Sequence, residues 1–183
     1  MSNTDGVGST VTQWSTAQNN TILNFSADSL QTLETNFASL VDLQGGTAVN
    51  TFVRSFSNST EQYVNGKFML PPTLNASGNV TFNCWVSPVT GASSKNIGIH
   101  FNHFSVANGG AFDGSYTQVA SGAIAITATT GNVTLASFTA SLATLGWTAN
   151  EMIEFKLSRD ISVSNNLASN MYLFVFQIVI PGG

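Results

Sequence analysis

From residue 47 onward, apolar residues recur at every second position, the spacing of strands with one buried face. Val80, Phe82, Cys84 and Val86 alternate with Thr81, Asn83, Trp85 and Ser87, which predicts a strand with Cys84 on its apolar side. Ile97, Ile99 and Phe101 predict the next strand, with His100 and Asn102 on the opposite side. Ala123 to Thr129 and Val133 to Thr139 alternate on either side of Gly131-Asn132 and read as a hairpin or as two successive strands. Ile153, Phe155 and Leu157 point one way along a later strand, and Glu154, Lys156 and Ser158 the other. Shorter runs lie at Phe52 to Phe56 and Gln62 to Leu70. The second ends at Pro71-Pro72, which cannot donate ladder hydrogen bonds. Ser141 to Gly146 predicts one helical turn in a crossing loop.

The last run, Asn170 to Ile180, breaks this pattern. Met171, Leu173, Val175 and Val179 fall on one side, and Tyr172, Phe174, Phe176, Ile178 and Ile180 on the other. Both sides are apolar, so both require cover. One side meets the core between two sheets. The other meets the N-terminal segment or another subunit, which makes Tyr172, Phe174, Phe176 and Ile178 the candidate subunit interface. About seven or eight such strands indicate an all-β fold, a jelly-roll-like β-sandwich.

The first 46 residues differ. Residues 1–21 are rich in Asn, Thr, Ser and Gly and have little periodicity. Leu30, Leu33, Phe37 and Leu40 then follow at helical spacing, with Asp28 as a cap, Gln31 three residues on, and Gly45-Gly46 as a stop. Two readings stand: a short helix at 28–43, or an extended arm with apolar anchors. The chain accordingly divides into an N-terminal arm, 1–46, and a β-sandwich domain, 47–183.

Charge changes the picture most. Only 8% of the 183 residues are Asp, Glu, Lys or Arg, against roughly 25% in ordinary soluble domains. Such a composition suits an extracellular or viral β-protein, and equally a protein docked to copies of itself, because uncharged surfaces lose less on desolvation. The net charge is −4 with no basic stripe, which removes the electrostatic basis for nucleic-acid binding or for a polybasic membrane anchor. The longest apolar run, Met171 to Ile180, is too short to span a bilayer as a helix. No apolar segment follows Met1, so no secretory signal is expected. The six Asn-x-Ser/Thr triplets are then by-products of composition, and the single Cys84 suits synthesis in a reducing cytoplasm.

Candidate chemistry is sparse. His100 and His103, three apart on a strand, fall on opposite faces and do not converge on a metal. They read as one surface and one strand-end histidine. No nucleophile motif or Cys pair occurs. The expectation is a protein that is not an enzyme and carries no cofactor. Aromatic rings stack on sugars, so Trp85, His100, Asn102 and Tyr116 are candidate glycan contacts. The competing reading packs Trp85 beneath a loop or against a neighbouring subunit.

Three stretches carry a resemblance. They are Arg54-Ser-Phe56 through Ser59-Thr-Glu61-Gln-Tyr63 to Phe68-Met-Leu-Pro71, then Gly78-Asn-Val-Thr-Phe82-Asn-Cys-Trp85, then Glu154-Phe-Lys-Leu-Ser-Arg159-Asp160. With the closing strand before Ile180-Pro181, the sequence resembles a β-sandwich virion module of tailed bacteriophages over roughly residues 50–181. That family has a longer, more acidic loop where this chain has Val106 to Ser115. The resemblance implies a virion protein made in the host cytoplasm and assembled as a homo-oligomer, a trimer, alongside major capsid protein or other virion proteins. It implies no activity. The expected role is a capsid decoration (cement) protein, with Trp14, Ile22, Phe25, Leu30, Leu33 and Phe37 of the arm contacting capsid or neighbours. The alternative is a receptor- or carbohydrate-binding module of a fibre or tail.

Overall fold

The computed structural model describes residues 11–15, 20–32, 36–45, 49–129 and 131–183. The strands run β1 (Val11–Ser15), β2 (Asn20–Ser26), β3 (Ser39–Gly45), β4 (Val49–Phe56), β5 (Tyr63–Met69) and β6 (Asn79–Pro88). They continue with β7 (Ala92–Val106), β8 (Thr117–Ala120), β9 (Ile124–Ala128) and β10 (Thr134–Ser141). After the helical turn α1 (Leu142–Leu145) come β11 (Met152–Asp160) and β12 (Met171–Ile180).

Two antiparallel sheets face each other in a jelly-roll-like β-sandwich. In the first sheet β10, β6 and β12 lie side by side. Beyond β12 the sheet forks: β4 and β3 continue from Met171–Leu173, and β2 and β1 from Val175–Ile180. The second sheet runs β5, β11, β7, after which β8 and β9 pair with successive parts of the long β7.

The alternating runs form strands because each places one apolar row against the opposite sheet. Phe25, Phe82, Phe138 and Phe176 descend from the first sheet, and Phe68, Phe101 and Phe155 rise from the second. Their rings interlock, with centroids 4.6 Å apart for Phe82 and Phe101 and 5.2 Å for Phe25 and Phe155. Aromatic pairs of this kind add about 0.5–1.5 kcal/mol each beyond their burial. Gly66 lies opposite Phe155, whose ring would be 2.4 Å from a Cβ there, so only glycine admits the ring. At α1, Ser141 Oγ accepts the Thr144 amide at 3.0 Å, and Gly146 closes the turn at φ 65°.

Several expectations change. The β9 and β10 runs are not a hairpin, since β9 pairs with β7 and β10 with β6, so they belong to different sheets. No described residue of 28–43 is helical. A turn follows β2, Gln31 bridges to Asn65, Phe37 bridges to Tyr63, and β3 begins at Ser39. Backbone bonds to the free edge of β5 outweigh the helical spacing. The 46/47 boundary also fails to separate an arm, because β2 pairs with β12 along six residues and β3 pairs with β4. Phe25 and Leu30, expected as outside contacts, are 3% and 1% exposed and belong to the chain's own core. Leu33 lies outside the described residues, as does the side chain of Trp14.

The largest correction concerns β12. Leu173 lies opposite Val86 and Val175 lies opposite Trp85, so Phe174 is an extra residue in a β-bulge. The bulge reverses the side-chain phase. Met171 and Leu173 point inward before it, and Phe176, Ile178 and Ile180 point inward after it. Both sides of the strand are apolar, but the bulge changes which residues lie on each: Tyr172, Phe174, Val175 and Val179 share the outer side with Gln177. Phe176 and Ile178 are fully buried in the sandwich and form no subunit interface, whereas Tyr172 and Phe174 remain partly exposed.

Two buried arginines tie loops to this frame. Arg54 on β4 donates from Nε to Ala27 O at 2.8 Å, and also to Leu30 O and Ala38 O, which fixes the crossing from β2 to the β5 edge. Arg159 on β11 holds the loop before β12 through Ser169 O at 2.7 Å, Asn166 Oδ1 at 2.9 Å and Leu167 O. Burial lowers both guanidinium pKa values, that of Arg159 to about 10.

Candidate functional site

The strands present two outer faces of opposite character. On the first sheet three rows cross β10, β6, β12 and β2: Leu135–Trp85–Val175–Ser26, Ser137–Asn83–Gln177–Asn24, and Thr139–Thr81–Val179–Ile22. None of the twelve is charged. The middle row is a closed ladder. Ser137 Oγ donates to Asn83 Oδ1 at 2.7 Å, Asn83 Nδ2 to Gln177 Oε1 at 2.9 Å, and Gln177 Nε2 to Asn24 Oδ1 at 2.8 Å. Beside it, Trp85, Val133, Phe174 and Val175 floor an open hollow of about 350 Å³, rimmed by Asn24 and Gln177. Val133 and Leu135 are about half exposed, at 48% and 49%.

The second sheet's outer face is charged. Lys67 Nζ lies 3.2 Å from Glu154 Oε2, an ion pair without hydrogen-bond alignment. Tyr116 donates to Glu154 Oε1 at 2.9 Å. The ammonium groups of Lys156 and Lys67 stand 4.5 Å and 4.9 Å over the rings of Tyr116 and Phe112, which Phe104 meets edge-on. Further along, the two ring nitrogens of His100 face different carboxylates: Nδ1 lies 2.9 Å from Glu61 Oε1, and Nε2 3.2 Å from Asp160 Oδ2. Burial raises the Glu61 pKa, but hydrogen bonds from His100 and Ser158 outweigh it and hold the carboxyl below its ordinary value. Asp160 is likewise raised by burial and lowered further by its bonds from Ser162 and the nearby His100.

Three of the four candidate glycan contacts, His100, Asn102 and Tyr116, thus lie on this face. Trp85 lies on the opposite side of the sandwich. Of the other sites named from sequence, Ile22 is on the uncharged face and Phe37 is 45% exposed beside β5. The amide ladder escaped the sequence reading, because its members come from four separate strands.

Acid–base groups offer little reach. The Ser158 hydroxyl is buried and donates to Glu61 Oε1 at 2.7 Å. Burial pushes the Cys84 thiol pKa far up, which removes its nucleophilic form. Among the described residues no group of three or more His, Cys, Asp or Glu is placed to hold a metal. Glu61 and Asp160 do not converge, because the His100 ring lies between them.

His103 is a core residue rather than a strand-end one, 2% exposed. Its Nδ1 accepts from Trp147 Nε1 at 3.1 Å, so the neutral ring carries its proton on Nε2, which is buried without a partner. Burial lowers its pKa from 6.5 to about 4. The unfolded chain therefore binds this proton first as pH falls, and the folded state loses stability between pH 6.5 and about 4. At ~1.4 kcal/mol per pH unit the loss approaches about 3 kcal/mol. The depressed Glu61 and Asp160 act in the same direction at lower pH, where they protonate. Urea denaturation at about pH 7 and about pH 5 should show this drop in the native protein and a smaller one in His103→Gln. Equal drops would refute the assignment to His103.

The chain matches no protein-family model and no curated protein. Solved structures resemble it at low identity. The CBM22-1 xylan-binding domain from Paenibacillus barcinonensis Xyn10C is 13% identical, covering 84% of this chain and 86% of that one, with a TM-score of 0.43. Family 16 carbohydrate binding module-2 is 15% identical, with coverages of 82% and 92% and a TM-score of 0.40. A structure of the infectious bursal disease virus Gx strain is 13% identical, with coverages of 90% and 33% and a TM-score of 0.34.

Proposed function

We propose that this chain is a structural virion protein of a tailed phage, a capsid decoration protein whose copies associate through the outer face of the first sheet. The unequal division of charge supports this reading. Glu61, Lys67, Glu154, Lys156 and Asp160, five of the chain's fourteen charged residues, gather on the second sheet's face, while the three rows of the first sheet carry none. Removing a face from water is least costly where its polar groups already bond one another. The Ser137–Asn83–Gln177–Asn24 ladder meets that condition. Leu135, Trp85, Val175 and Phe174 supply apolar area beside it. The stretches Arg54 to Pro71 and Glu154 to Asp160, similar to phage virion modules, supply the setting. The role is non-catalytic, and the partners are further copies and the capsid lattice.

The test is sedimentation velocity on the native protein and on a Leu135→Lys, Val175→Lys double variant. The native protein should sediment as an oligomer, a trimer on this reading. The variant should sediment as a monomer and keep the native near-ultraviolet circular dichroism, since Leu135 and Val175 lie outside the sandwich core. A native monomer at all concentrations, or an intact variant oligomer, would overturn the proposal.

A further inference from the structure

The two outer faces differ in the state of their amides as well as in charge. The second sheet also carries an amide row: Asn65, Lys156, Asn102 and Gln118 lie side by side on β5, β11, β7 and β8. Here the amides do not bond one another. Asn65 is 8% exposed and its Oδ1 is buried with no hydrogen-bond partner. An unpartnered buried acceptor is costly, about 1–3 kcal/mol, and in a native protein it points to an absent ligand or water.

The surroundings define what would bind. Tyr116 lies over Lys156 in the same row, and Phe112, 55% exposed, lies over Lys67 in the next. Both rings come from the segment between β7 and β8, which comes so close to the sheet that a Cβ at Gly114 would lie 3.2 Å from Phe104. The aromatic edge is thus fixed by the lysines and Phe104. Its charges are already engaged within the face: Lys67 with Glu154, Lys156 with the Tyr116 ring, and His100 with Glu61 and Asp160. No surplus of positive charge remains to hold an anion. Primary amides both donate and accept, as hydroxyl groups do, and aromatic rings take up the C–H faces of sugars.

We infer that the outer face of the second sheet binds a neutral oligosaccharide along the Asn65–Asn102–Gln118 row, against the Tyr116–Phe112 shelf. The site is independent of the proposed assembly face, which lies across the sandwich. Asn102 and Gln118 hydrogen-bond ring hydroxyls, and Tyr116 with Phe112 stacks on a sugar face. A hydroxyl reaching Asn65 Oδ1 requires a small shift of the neighbouring side chains.

Isothermal titration with a panel of neutral hexasaccharides, and with heparin and alginate fragments as anionic controls, tests this. Saturable binding of at least one neutral sugar is expected. Asn102→Ala and Tyr116→Ala should each weaken it about tenfold or more, with the thermal midpoint unchanged. The Asn65 and Asn102 side-chain amide resonances should shift on titration. The Leu135→Lys, Val175→Lys variant should bind as the native protein does, which separates this result from the fate of the assembly proposal. Lack of binding to every neutral sugar at millimolar concentration, preference for the anionic fragments, or loss of binding through Trp85→Ala but not Asn102→Ala would each overturn the inference.

Discussion

Deleting Phe174 alone is expected to leave the sandwich folded, because Phe174 is the extra residue of the bulge and lies partly exposed on the outside. The deletion makes Leu173 and Val175 neighbours in the chain, as are Val86 and Trp85, which they oppose. A regular strand then alternates without interruption and keeps Met171, Leu173, Phe176, Ile178 and Ile180 inward. A strand that kept Phe174 but formed no bulge would instead turn Phe176, Ile178 and Ile180 to solvent. These three side chains are fully buried. At about 1.5–3 kcal/mol each, their exposure costs roughly 5–9 kcal/mol, comparable to the ~5–15 kcal/mol of a whole domain. Phe174→Ala is the control. It keeps the residue count and the backbone bond from Ala27 N to Phe174 O at 3.1 Å, so near-native stability is expected. Near-ultraviolet circular dichroism and thermal melts of the two proteins provide the comparison. A deletion variant that fails to fold would show that the bulge does more than set the phase.

Replacing Arg159 with Ala should cost about 3 kcal/mol or more, since each buried acceptor left without its donor costs about 1–3 kcal/mol. Three acceptors lose their donor at once: Ser169 O, Asn166 Oδ1 and Leu167 O. The loop between β11 and β12 then lacks its main tie to the sandwich, and amide exchange in 161–170 should accelerate. Arg159→Lys should not restore stability, because an ammonium group cannot match the forked guanidinium against three separate acceptors. Urea midpoints for the native protein and both variants measure this. A loss below about 0.5 kcal/mol for the alanine variant would place it among ordinary surface changes and refute the clamp.

These arginines also show what the short motifs record. Arg54 opens the first of the three stretches singled out in the sequence, and Arg159-Asp160 closes the third. Arg54 fastens the crossing between sheets, Arg159 fastens a loop, and Asp160 bonds the Ser162 hydroxyl and faces His100. The motif positions therefore preserve architecture. That is why they name no reaction.

The legible parts of the sequence were those in which a single strand carries its own pattern. The inward rows of β6, β7 and β11 were readable from alternation alone, as was α1 from Ser141 and Gly146. His100 and Asn102 were readable as outward for the same reason. The segment 28–43 misled because helical spacing of Leu30, Phe37 and Leu40 says nothing about the open edge of β5 that draws the backbone into bridges. β12 misled because a bulge is set by its neighbours, here the change of partner from β4 to β2.

By itself, then, the sequence determined an all-β chain, most of its inward-facing residues and the scarcity of reactive groups. Those follow from composition and from period two, both properties of residues close together along the chain. Tertiary structure decided the phase of the last strand, the burial of Phe176 and Ile178, and the split between an uncharged outer face and a charged one. Each depends on which residues stand beside one another on separate strands, as in the closed ladder Ser137–Asn83–Gln177–Asn24 and the open row of Asn65, Asn102 and Gln118. Lateral neighbours arise from strand pairing between residues far apart in sequence, and no local period encodes them.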